Sequence, residues 1–180
     1  MGRFLEGLQR LRSKSDLPVQ VAAVCFRWNE SSLEFLLIKT SSGKWTFPKG
    51  HINPALSPKE SAACEAREEA GATGRIAETH FSSYIDTKRS LGHDSRSREV
   101  QILTYLLEVY SAVAPEEEGR CPTWYGIRET KRRLAEGRDS ACAKIIARVV
   151  DSAVACLSTQ LKMRARLLDS PQTRRLMPAR

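Results

Sequence analysis

Residues 45–74, WTFPKGHINPALSPKESAACEAREEAGATG, decide how the rest of the chain is read. Ser57-Pro58-Lys59-Glu60 is a helix start: an N-cap hydroxyl, proline at the first helical position, and a glutamate three residues after the cap. Gly71 can adopt the left-handed conformation that stops a helix, so the spacing predicts a helix over 58–70. Ala62, Ala63, Ala66 and Ala70 give that helix short side chains that let it lie close against a neighbour. Upstream, Phe47-Pro48-Lys49-Gly50 reads as a rigid loop leading into it.

Glu65, Glu68 and Glu69 stand at i, i+3 and i+4. At roughly 3.6 residues per turn the three carboxylates leave one face of the helix. Like charges at this spacing repel, and a hard divalent cation would turn the repulsion into binding, since Mg²⁺ prefers oxygen ligands and keeps some of its waters. The same three residues alone would also describe a solvated acidic face. Lys49 and His51 flank Gly50, and Lys49 can neutralise a substrate phosphate as a point charge.

The arrangement as a whole resembles the Nudix box, G-x5-E-x7-R-E-U-x-E-E-x-G-U with U aliphatic. Gly50 aligns with the first glycine, Glu65 with the glutamate of R-E-U, and Ala66 with U. Glu68 and Glu69 align with the E-E pair, Gly71 with the second glycine and Ala72 with the last position. The WTFPKG run is similar to the segment leading into the box in many members. Two positions depart from the pattern: Leu56 stands where the family has its first box glutamate, and Cys64 where it has arginine. That arginine pairs with box carboxylates and orients them.

The resemblance implies an α+β protein, an α/β/α sandwich around a mixed sheet. It also implies Mg²⁺-dependent hydrolysis of a diphosphate linkage, with Mn²⁺ able to substitute. Glu65, Glu68 and Glu69 are the implied catalytic residues, and with Gly50 the implied metal ligands; Glu65 or Glu68 could act as base. Lys49, Lys88 and Arg89 are the expected substrate-binding residues, and a small phosphorylated compound the expected partner. The layout resembles hydrolases of diadenosine polyphosphates and diphosphoinositol polyphosphates, with ADP-ribose, nucleoside triphosphates and capped RNA ends as other substrates of the family. Because Leu56 and Cys64 replace box residues, the alternative is a binding or sensor module that turns over little.

Composition agrees with a soluble domain. The chain has 180 residues, enough for one sizeable domain, with 41% hydrophobic and 28% charged residues. No apolar run approaches the ~20 residues needed to cross a bilayer. The opening residues lack a secretory signal pattern, so a cytoplasmic location is expected. Five scattered cysteines, Cys25, Cys64, Cys121, Cys142 and Cys156, make no C-x-x-C pair and read as reduced thiols. Cys64 lies beside the proposed site, and a nucleophile role is not expected of it.

Outside the box, Phe4, Leu5, Leu8 and Leu11 have helical spacing within a 1–16 extension. A domain over 17–160 follows. Strands are expected at 19–28 and 33–39, joined as a hairpin, then at 76–87, 100–110 and 122–125. KRSLGHDSRSR, 88–98, is a basic loop; Lys88, Arg89, Arg96 or Arg98 could hold a polyanion there. Glu99 is a further candidate carboxylate, and 114–119 is an acidic loop. Helices are expected at 128–136 and 141–157, the latter burying a stripe through Ala141, Ile145, Val149, Ser152 and Cys156 beside Ile146, Val150 and Ala153. The net charge is +8, and a basic tail over 161–180 carries Lys162, Arg164, Arg166, Arg174, Arg175 and Arg180 against Asp169. Such a tail can attract nucleic acid.

Overall fold

The structure, a computed structural model, describes residues 17–30, 32–89 and 97–168, without the side chains of residues 88, 89, 97 and 164–168. Its centre is a mixed sheet in which β1 (Val19–Asn29) runs parallel to β7 (Ser97–Ala112), from Val19 opposite Gln101 to Phe26 opposite Glu108. The other edge of β1 is shared. Its second half forms the expected antiparallel hairpin with β2 (Ser32–Lys39), and its first half pairs with the short β4 (Lys49–His51), Gly50 lying opposite Val21. β7 divides its far edge in the same way, between β6 (Ser82–Arg89) and β5 (Ala72–Ile76). β3 (Trp45–Thr46) and β8 (Thr123–Gly126) complete the sheet on β2.

Alternation along β1 separates two cores. Val21, Ala23 and Cys25 pack with Ala62, Ala66 and Ala70 of α1 (Pro58–Ala70). Val24 and Phe26 pack with Phe35, Phe47, Leu134 of α2 (Ile127–Ala135) and Ile146 and Val149 of α3 (Ser140–Leu168). The result is the expected α/β/α sandwich, with α1 the one helix on one face among the described residues. Trp45 and Phe47 belong to the core, and Trp45 meets the edge of the Tyr125 ring.

Several segments differ from the sequence expectation, among them Lys49–His51, which is strand β4 where a rigid loop is expected. The single strand at 76–87 is two: β5 ends at Ile76, β6 begins at Ser82, and both lie on β7. β5 reads ATGRI, too short and irregular to show a period of two, and it owes its conformation to pairing with β7 across a bulge at Thr73/Gly74. In α3 the buried stripe is Ile146, Val149, Val150, Ala153 and Leu157, while Ile145 is exposed; the inward face is rotated by about one residue from the expected one. α3 also continues to Leu168, so the basic stretch from 161 begins as helix. The expected helix over 4–11 and the 1–16 extension lie outside the described residues, as do Arg96 and the tail beyond 168. No helix among the described residues is long and apolar enough to cross a membrane.

Candidate active site

Local chemistry sets the bounds of α1. The Ser57 N–H donates to Glu60 Oε2 at 2.8 Å, and Glu60 N–H donates back to Ser57 Oγ, closing the capping box. Gly71 ends the helix at φ +63°, and a Cβ there would lie 2.0 Å from the Val113 carbonyl oxygen, so left-handed geometry and close approach both demand glycine. Ala62, Ala66 and Ala70, all buried, seat the helix close to β1.

That closeness brings Glu65 onto Gly50. A Cβ on Gly50 would stand 1.9 Å from Glu65 Oε1 and 2.5 Å from Oε2: the carboxylate fills the space a side chain would need. Beside it Glu69, only 5% exposed, has Oε2 2.8 Å from the Lys49 N–H and Oε1 2.5 Å from Arg120 Nη2. Glu68 is partly exposed and meets Arg67 at 3.1 Å, while Arg67 also pairs with Glu116. Burial first, then repulsion from Glu69, Glu68 and Glu117, pushes the Glu65 carboxyl up to about 7. Burial also raises Glu69, against the pull of the Lys49 N–H and Arg120.

Among the described residues, no three His, Cys, Asp or Glu side chains already stand grouped to hold a metal ion. The donor chemistry nonetheless fits Mg²⁺, which needs only one or two carboxylates and keeps its waters. Glu65 at the Gly50 backbone offers hard oxygens in a place where negative charge is already in excess. Glu69 could join it through an oxygen released by Lys49 or Arg120.

Lys49 connects this cluster to a cavity of about 670 Å³ lined by Lys44, Thr46, Asp86, Arg138 and Cys142 as well as Lys49 itself. Its N–H holds Glu69, while its ammonium lies 3.6 Å from Asp86. Lys88 and Arg89 lie at the end of β6, and their side chains are outside the described residues. Arg98 and Glu99 are exposed on β7, opposite Lys88 and Thr87. His51 meets Gln20, Nε2 to Nε2 at 3.1 Å. The five cysteines are free thiols, as expected.

One participant escaped the sequence reading. Arg120, in the turn before β8, reaches Glu69 from outside the box, and Glu117 of the acidic loop holds its guanidinium at 2.8 Å from Nε and 2.5 Å from Nη2. The only signal was indirect: Cys64 leaves the box carboxylates without their usual arginine, which calls for a cation from elsewhere but does not say from where.

Residues 18–144 match the family model of the NUDIX domain. The chain belongs to the Nudix hydrolase family. It is 29% identical over 131 residues to bis(5'-nucleosyl)-tetraphosphatase [asymmetrical] of Mus musculus, covering 65% of this chain and 86% of that one. It is 26% identical over 139 residues to diphosphoinositol polyphosphate phosphohydrolase 2 of Rattus norvegicus, covering 73% and 71%. The crystal structure of a C. elegans Ap4A hydrolase binary complex superposes with a TM-score of 0.59 at 20% identity, covering 79% of this chain and 99% of that one. At that identity the last likeness speaks for the fold alone. Within the Nudix fold, Glu65, Gly50 and Glu69 meet where α1 crosses β4.

Proposed function

We propose that this Nudix hydrolase cleaves a diphosphate linkage in a small polyphosphorylated compound, a dinucleoside polyphosphate or a diphosphoinositol polyphosphate, with Mg²⁺ held by Glu65 and Glu69 and aided by Glu68. The observation that carries the reading is the Glu65 carboxylate lying against Gly50, a position that glycine alone leaves open. The names of the two sequence relatives support the substrate class. A divalent cation bound there would neutralise phosphate oxygens and make water a better nucleophile. Glu65 and Glu68 are the carboxylates able to accept the proton of the attacking water. Lys49 and Lys44 present ammonium groups to anionic substrate along the cavity, and Asp86 fixes Lys49 there.

The test is a panel of diphosphate-linked compounds with Mg²⁺ or Mn²⁺, reading phosphate or nucleotide release, run beside Glu68→Gln and Glu69→Gln. Metal-dependent turnover is expected in the parent chain, with on the order of a hundredfold loss in each variant. Variants as active as the parent, with the same Mg²⁺ affinity, would remove the site assignment. One observation favours a second reading: Glu69 is already engaged by Arg120, and Leu56 and Cys64 supply no box charge. A chain that binds a panel compound but never cleaves it would be the binding module of that reading.

A further inference from the structure

The ties on Glu69 are made by a residue far from the box. A carboxylate this buried needs each oxygen satisfied, because an unpartnered buried charge is costly. The Lys49 N–H takes one oxygen and the Arg120 guanidinium the other. Arg120 is itself fixed at both ends. Its carbonyl accepts the Lys39 N–H at 2.6 Å, pinning its main chain to β2, and Glu117 takes its Nε and Nη2. The Glu117 N–H donates to the Glu68 carbonyl at 3.1 Å, which ties the acidic loop to the last turn of α1. Arg67, three residues from Cys64, pairs with Glu68 and Glu116 and hydrogen-bonds the Cys64 side chain, so its guanidinium is engaged away from Glu69.

We propose that Arg120 is a positioning residue, its guanidinium taking over from the turn before β8 the orienting work that Cys64 cannot do from α1. A planar guanidinium suits the work, since it can hold Glu117 and Glu69 together in a fixed fork. The loop from Val113 to Arg120 thereby becomes part of the active site, although it carries no box residue. The inference rests on the reading of Glu69 as a site residue.

The experiment is a double-mutant cycle of Arg120→Ala and Glu69→Gln, with Arg120→Lys alongside. Mn²⁺ affinity is measured by the EPR signal of the free ion, unfolding by circular dichroism, and kcat and KM on any compound the parent cleaves. Arg120→Ala is expected to lower kcat on the order of tenfold with KM within about threefold, and to change the Mn²⁺ Kd by about threefold or more. Arg120→Lys should recover part of each effect, because it keeps the charge and loses the fork. The drop in Tm caused by Arg120→Ala should largely vanish in the Glu69→Gln background, where no buried charge is left unpaired. Unchanged kcat and Mn²⁺ affinity in Arg120→Ala would overturn the proposal, as would an equal drop in Tm in both backgrounds. If Arg120→Ala does not fold, the cycle runs with Arg120→Lys. A parent chain that cleaves nothing would end the hydrolase reading, and the Mn²⁺ and unfolding cycle would still decide the role of Arg120.

Discussion

On one face of the sheet α1 packs through its own alanines in a core with Val21, Leu36 and Ile38; on the other, Phe35 and Phe47 interlock with Leu134 of α2 and Ile146 of α3. The difference divides the labour of the fold. Buried alanines remove little apolar surface from water, so the α1 face gains less from burial than the bulky face. What they provide is distance: a helix close enough for Glu65 to reach the backbone of β4. Polar ties then hold that face, through the capping box, the Lys49–Glu69 hydrogen bond and the Arg120 bridge. The bulky face carries the larger side chains of α2 and α3, and the α1 face carries the carboxylates.

The contrast can be broken most forcefully from the bulky side. Leu134→Ala, at a fully buried position, should cost about 2–5 kcal/mol of stability, read as a lower Tm or denaturant midpoint. Below the new transition, kcat should stay within about twofold. A large loss of turnover in folded protein would mean that the two faces are coupled.

Gly50→Ala sharpens the same contrast from the other side. The added methyl meets the end of a flexible carboxylate side chain, not backbone, so the fold should survive with a small change in Tm. Displacing Glu65 should cut turnover about a hundredfold, which corresponds to ~2.7 kcal/mol in the barrier. Parent-like activity in this variant would detach Glu65 from the chemistry.

A smaller effect should appear with pH. The folded Glu65 carboxyl titrates about 7, above its ordinary 4.5. Between those values the folded chain holds a proton that the unfolded chain has released. The contribution of Glu65 to stability is therefore fully present below 4.5, is lost as pH rises toward 7, and is gone above it. A divalent cation prefers the ionised form, so Mn²⁺ should raise Tm more at pH 8 than at pH 6. Equal stabilisation at the two pH values, or the same difference in Glu65→Gln, would show that this carboxylate is not the one responding.

What was legible in the sequence was what local chemistry determines. The bounds of α1 follow from Ser57, Pro58, Glu60 and Gly71, whose effects act within a turn or two, and the helix spans the expected residues. Strands β1, β2 and β7 could be read because they are long and rich in aliphatic and β-branched residues. β4 was hidden: Lys49-Gly50-His51 has no strand character and becomes extended only by pairing with Gln20, Val21 and Ala22. In the site, the three glutamates were visible as a spacing, and Gly50 entered only through the resemblance to the box. Arg120 was not, because its meeting with Glu69 depends on how the loop after β7 returns to β2, and no periodicity encodes such a long-range contact.

The parallel pairing of β1 with β7 sets the order in which the molecule can assemble. Val19 and Gln101 stand almost a whole domain apart along the chain, and a large loop must close before their strands reward it with hydrogen bonds. α1 can nucleate early on its own caps, whereas β7 carries both β5 and the segment leading toward Arg120. A nascent chain released before β7 is complete would thus carry the capping signals of its box helix, with neither the central strand that pairs with β1 nor the guanidinium that steadies Glu69.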